Sequence, residues 1–183
     1  MTLATHPEPG GRPTSSSVPS PMPDPAIERL PQLYSRPGFL LRRAHQIYVA
    51  IFEENFARLG ISPAQYSVMI ALHDLQGINQ GELAKAIGMN KVTVSQIVQA
   101  LETRGWVSRK QSDPDRRRLR LTLTPAGKKA LNQTAEMAEA TYAEQMAPLS
   151  AAERQRLMKL LQRIVTDLEP RARTPFEPVT AQG

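Results

Sequence analysis

The hydrophobic period of this chain changes from 3.6 to 2 directly after Gly105, and two short capped helices precede the change. Asn79 is placed as a helix cap, with Glu82 three residues on to close a capping box. Leu83, Ala84 and Ile87 then point inward, and Gly88 stops the helix. Two residues later Asn90 caps a second helix, Lys91 to Arg104, with Met89 and Val94 as its hydrophobic staple. Two short helices joined by a tight Gly-containing turn form the helix-turn-helix pattern. Past Gly105, Leu119, Leu121 and Leu123 fall on one face of a strand and Arg118, Arg120 and Thr122 on the other, with Trp106–Lys110 as its partner. The connection Gln111-Ser112-Asp113-Pro114-Asp115-Arg116 is rich in turn residues, so the pair reads as a β-hairpin with a basic tip.

Helices flank this block. One runs from about Pro37 to Leu59, with apolar residues on more than one stripe (Leu40, Ala44, Ile47 and Ile51; Leu41, Tyr48, Phe52 and Phe56), so it should touch more than one neighbour. Ser62, Pro63 and Gln65 open the next, with Ile61 and Tyr66 as its staple. Thr124-Pro125 opens a helix expected to reach about Met146, with Leu131, Ala135, Ala138 and Tyr142 in one stripe. The last, capped by Ser150 with Glu153, carries Leu157, Leu160, Leu161, Ile164 and Leu168 on one face. Residues 1–36 hold eight of the sixteen prolines and read as a disordered arm. The Pro-rich stretch 169–183 reads as a flexible tail.

Charge is unevenly placed. The chain carries +6 overall, but Lys85 to Lys129 holds eleven basic residues against three acidic, a local charge of +8. A basic balance admits nucleic acid or an anionic membrane as partner. On the helix from Lys91, the residues Val94, Ile97, Val98 and Leu101 form a buried face, and Lys91, Val92, Thr93, Ser95, Gln96, Gln99 and Thr103 lie away from that face. Val92 stands about 160° from Val94 around the helix. An exposed β-branched residue there suits a thymine methyl in the major groove; Gln96 and Gln99 suit adenine, and Lys91 suits guanine or phosphate. Arg116, Arg117 and Arg118, with Arg120, crowd a turn held by Asp113 and Asp115, an arrangement suited to the narrow minor groove. An ordinary amphipathic helix and a solvated charge run are the plain alternatives. Their conjunction in one short stretch is what favours DNA.

Residues 37–168 resemble the MarR family of winged helix-turn-helix regulators, most closely in GELAKAIGMNKVTVSQIVQALETRGWVSR at 81–109 and DPDRRRLRLTLTPAG at 113–127. The second stretch carries the family's wing element, here Asp115-Arg116-Arg117, ahead of an alternating strand, Leu-Thr and a helix-starting Gly. Val92 departs from relatives, which often carry a small polar residue there. The resemblance implies a mostly α fold with a small β-hairpin wing, a reading head at about 62–124, and dimerisation helices at about 37–59 and 125–168. It implies a homodimer whose two recognition helices enter successive major grooves of a pseudo-palindromic operator in double-stranded DNA. Repression is the family default. Such proteins are often released from DNA by small aromatic acids, for which Arg42, Arg43, His45, Tyr66 and His73 are the candidate contacts here; an arginine suits a carboxylate and a tyrosine or histidine suits a ring substituent. Each of these five could equally be an interface or core residue.

Other function classes fit less well. The sequence holds no Gly-rich phosphate loop, nucleophile motif or metal-ligand cluster, and only three histidines, so neither an enzyme nor a cofactor is expected. The absence of cysteine excludes thiol sensing and disulfides and fits a reducing cytoplasm. No secretory signal and no apolar run of about 18 residues occurs, so no membrane partner is expected. An architectural DNA binder with little sequence preference is the nearest rival, and a module meeting an acidic protein the next.

Overall fold

The computed structural model describes residues 30–111 and 119–179. The chain divides into two compact units at Arg43/Ala44, a point inside one helix, α2 (Pro37–Asn55). In the N-terminal unit, a single helical turn, α1 (Pro31–Tyr34), precedes α2. There the Tyr34 and Phe39 rings lie 5.2 Å apart and the Arg42 guanidinium sits 5.3 Å from the Phe39 centroid.

The second unit contains the rest of α2, then α3 (Pro63–Asp74), α4 (Gln80–Ala86), α5 (Lys91–Thr103), β1 (Val107–Gln111), β2 (Leu119–Leu123), α6 (Pro125–Asn132), α7 (Ala135–Gln145) and α8 (Ala151–Leu168). The helix starts follow from side-chain caps. Ser62, Asn79 and Ser150 each form a reciprocal capping box, with Gln65, Glu82 and Glu153. Asn90 accepts from the Thr93 amide at 2.8 Å, and Thr124 accepts from the Gly127 amide at 3.0 Å. Each such cap is worth about 1 kcal/mol.

The turn between α4 and α5 is a Schellman closure. Gly88 has φ +63°, its amide reaches the Lys85 carbonyl, and the Met89 amide reaches the Ala84 carbonyl at 2.9 Å. That left-handed backbone is what glycine supplies without strain. The same pattern closes α5 at Gly105, where the Trp106 amide bonds the Leu101 carbonyl at 2.9 Å. The core lies beneath this turn. Phe56, Val68, Met69, Leu72, Leu83, Val94, Val98, Leu101 and Leu121 are essentially without solvent contact.

β1 and β2 pair antiparallel, with Val107 opposite Leu123 and Gln111 opposite Leu119. Ile78, between α3 and α4, adds a bridge to Leu121, so the hairpin is stitched into the head. The period-2 face holds only at the hairpin's base. Leu121 is 1% and Leu123 7% exposed, whereas Leu119 is 47% exposed because no element of the described chain covers it.

Two helix boundaries differ from the sequence reading. α2 ends at Asn55 rather than Leu59, and the chain turns through Phe56–Gly60 with Gly60 at φ +57°. The helix expected from Pro125 to Met146 is two helices, interrupted at Gln133–Thr134. Thr134 is buried, and both its amide and its hydroxyl bond the Leu131 carbonyl, at 2.9 and 2.6 Å. A threonine hydroxyl that competes for a nearby carbonyl tightens one turn and bends the helix. Of the expected stripe, Ala135 and Tyr142 are exposed, while Leu131 and Ala138 are half-buried. α7 closes against α2: the Gln145 amide bonds the Tyr48 carbonyl at 3.0 Å, and Asn55 bonds Glu144 at 3.1 Å.

Candidate DNA interface and effector cleft

α5 is anchored on three sides, so its outer face is held rigidly. Its back is buried through Val94, Val98 and Leu101, with Ile97 half-buried. Asn90 fixes its start. At its end, the Arg104 guanidinium donates to the Gly60 and Leu59 carbonyls and lies 3.8 Å from the Trp106 ring centroid. Glu102 pairs with Arg109 of β1 at 2.8 Å, joining the helix to the hairpin. On the outer face Lys91, Val92, Gln96 and Gln99 are exposed, Val92 by 69%. Thr93 and Ser95 are half-buried, so they present less surface than helical spacing alone suggests. Arg116, Arg117 and Arg118 lie outside the described residues.

The local charge of +8 overstates the free cations. Arg104 and Arg109 are committed to the contacts just given, Arg120 donates to the Gly77 carbonyl at 2.9 Å, and Lys85 pairs with Glu177 at 3.0 Å. Lys91, Lys110, Lys128 and Lys129 remain exposed to solvent.

The five candidate effector contacts are not brought together as a set. Tyr66 and His73 line one cleft of about 390 Å³ with Ile70, Leu131, Asn132 and Thr134, where α3 faces the break between α6 and α7. Tyr66 also borders an adjoining cavity of about 240 Å³ whose walls include Phe52, Phe56, Thr141 and Gln145. These volumes lie at or below the lower end for small-molecule sites, suited to a single ring. Phe52 and Phe56 stack at 3.9 Å between centroids, and Tyr66 tilts against both. The sequence reading placed Phe52 and Phe56 only on an apolar stripe; their i, i+4 spacing is the signal that would have paired them in this wall. The His73 Nδ1 lies 2.9 Å from the neighbouring Asp74 carboxylate. His45 is exposed on α2, outside both linings, and Arg42 and Arg43 are exposed in the N-terminal unit.

Comparison with known proteins agrees with this architecture. Residues 59–118 match the model described as MarR family. Over 128 residues the chain is 30% identical to the HTH-type transcriptional repressor NicR of Pseudomonas putida, covering 70% of this chain and 81% of NicR. The chain belongs to the MarR family of transcriptional regulators. Its winged-helix fold is shared with solved MarR-type structures. Bordetella bronchiseptica BpsR, whose DNA binding is regulated by 6-hydroxynicotinic acid, superposes with a TM-score of 0.68 at 30% identity, over 71% of this chain and 93% of BpsR. The transcriptional repressor CouR, solved on a 23-mer DNA duplex, superposes with a TM-score of 0.68 at 28% identity, over 76% of this chain and 96% of CouR. In this MarR-family chain, α4 and α5 form the helix-turn-helix and β1–β2 the wing. Among the described residues no group of His, Cys, Asp and Glu could hold a metal ion, and no helix is long and apolar enough to cross a membrane.

Proposed function

We propose that this protein is a homodimeric, sequence-specific DNA-binding repressor that a small aromatic acid releases from a pseudo-palindromic operator. The outer face of α5 carries the proposal. An exposed valine beside two exposed glutamines, on a helix pinned at both ends, offers a methyl contact and two bidentate amide contacts to base edges. Lys91, Thr93 and Ser95 flank that face, and Arg116, Arg117 and Arg118 of the wing supply minor-groove contacts. The homodimer is supported by α8, on which no residue is buried within one chain although Leu160, Ile164, Val165 and Leu168 line its surface. Contiguous apolar surface of that kind marks an interface.

Selection of bound genomic fragments, followed by titration of the selected site against random duplex, tests the DNA assignment. A regulator prefers its operator by roughly a thousandfold or more, and affinity falls steeply with salt. No preferred site would favour an architectural binder instead.

In this reading the effector occupies the Tyr66–His73 cleft, whose lining offers Ile70 and Leu131 to a ring and Tyr66, His73 and Asn132 as hydrogen-bond partners. An aromatic ligand is suggested by likeness to BpsR, whose DNA binding 6-hydroxynicotinic acid regulates. A differential affinity of about 1–3 kcal/mol between two head spacings is enough for control. Operator release by 6-hydroxynicotinic acid, used as a first probe with benzoates and hydroxycinnamates beside it, should weaken in Tyr66→Phe and His73→Ala. Release lost in Arg42→Ala, Arg43→Ala or His45→Ala but retained in His73→Ala would move the carboxylate contact to α2.

A further inference from the structure

Beyond α8 the chain does not trail away. Glu169–Arg171 forms one 3-10 turn, and the Glu169 carboxylate then accepts the Phe176 amide at 2.8 Å, folding the intervening residues into a loop. That loop is fastened to the helix-turn-helix. The Glu177 amide donates to the Lys85 carbonyl at 3.0 Å, and its carboxylate takes the Lys85 Nζ at 3.0 and 3.2 Å. Phe176 packs on the turn itself: its Cβ, Cδ2 and Cγ lie 3.4 to 3.8 Å from where a Cβ on Gly88 would stand. The α4 carbonyl end, the turn glycine and the only acid of 170–179 are thereby engaged in one joint.

This joint places Arg173, Thr174 and Pro175 along one wall of a cleft of about 300 Å³, with Met89, Asn90 and Lys91 on the other. Arg173 and Lys91 are both exposed and neither makes an ion pair among the described residues. Two uncommitted cations thus border one opening beside the first residues of α5. Val92 keeps its 69% exposure with the strap in place, so the strap flanks the reading face without covering it.

We propose that the segment 171–177 is part of the DNA-binding surface, with Arg173 as a backbone-phosphate contact beside Lys91. This rests on the DNA-reading function proposed above. A phosphate contact fixes register on the duplex and carries no base preference. Phe176 and Glu177 act as positioning residues that hold Arg173 in place.

The test uses the full chain, a labelled duplex holding the selected operator and a labelled random duplex, with anisotropy read across a salt series. Arg173→Ala should weaken binding to both duplexes by a similar factor. Its slope of log affinity against log salt should fall by about 0.9, so its deficit should shrink about threefold between roughly 50 and 200 mM salt. Arg173→Lys should restore most of the slope. Phe176→Ala should reproduce the Arg173→Ala slope with α5 still folded by circular dichroism. An unchanged slope in Arg173→Ala overturns the inference, and so does tighter binding by Arg173→Ala or Phe176→Ala, which would make the strap a brake. If Lys91→Ala loses affinity while Arg173→Ala does not, DNA reading stands and the strap contact falls. If the unaltered protein binds neither duplex with salt dependence, both fall.

Discussion

Replacing Gly127 by alanine probes the junction of the wing and α6 through a single methyl group. A Cβ at 127 would lie 2.1 Å from the Trp106 carbonyl oxygen, 2.9 Å from its carbon and 3.1 Å from its Cα. The obstacle is backbone on both sides, so no rotamer change relieves it. The strand must retreat by about 1 Å to reach van der Waals contact. That same oxygen accepts the Thr124 amide at 2.9 Å, and Thr124 caps α6. Forcing extra carbon into a packed site costs about 1–3 kcal/mol, and losing the Thr124 bond about 1 more. Alanine's better helix propensity returns about 1. The rigid partners put the strain near the upper end, so the net expectation is about 2–3 kcal/mol of destabilisation. Urea unfolding followed by circular dichroism, at fixed protein concentration, should show a midpoint lowered by about 1 M with an unchanged slope. A Gly127→Ala protein as stable as the original would refute the reasoning, because it would mean that β1 can leave α6 without penalty.

Four further outcomes follow from the same geometry. Asn90→Ala removes the cap on the Thr93 amide and should cost about 1 kcal/mol in thermal or urea unfolding; Asn90→Asp should retain most of it. Gln96→Ala should change the preferred bases in a site-selection experiment, whereas Arg117→Ala should weaken binding to most sequences; equal effects of the two on all sites would remove this division of labour. Ile164→Asp places a charge in the apolar surface of α8 and should shift sedimentation from dimer to monomer with helix content retained; an unchanged dimer would put the interface elsewhere. The Glu153 carboxyl is held below its ordinary value, first by the Ser150 hydroxyl and then by the Ser150 amide. A depressed carboxylate contributes stability that is present above its unfolded-state value and lost as pH falls through the folded one. An NMR titration should therefore show a low Glu153 midpoint that rises toward the ordinary value in Ser150→Ala.

What could be read in the sequence was what is decided locally. Ser62, Asn79, Asn90, Thr124 and Ser150 cap helices because each sits within three residues of the amide it satisfies. The inward face of α5 is legible for the same reason, since Val94, Val98 and Leu101 share a helical stripe. The features that escaped depend on distant neighbours. Nothing in the propensity of Gln133 or Thr134 marks a break; burial of Thr134 makes its hydroxyl turn to the Leu131 carbonyl. Counting charges treated Arg104, Arg109 and Arg120 as free, yet each is engaged by a partner reached only on folding. The proline content beyond Pro170 suggested a loose end, and the contact of Phe176 with the Gly88 turn spans too much sequence to be seen there. In the cleft, Tyr66 and His73 share a lining because seven residues make about two helical turns, whereas Arg42, Arg43 and His45 could not be ordered toward it from spacing on another helix.

The two sides of α3 have a consequence for how such a regulator can diverge. Val68, Met69 and Leu72 are buried in the core that also receives Val94, Val98 and Leu101, while Tyr66, Ile70 and His73 border the cleft. Under the proposed function, signal preference and operator preference use no side chain in common. A gene copy can therefore exchange Ile70 or His73 and answer a new compound while still reading its ancestral promoter. The same separation lets a biosensor be retuned by cleft libraries alone, with the reporter promoter left as it is.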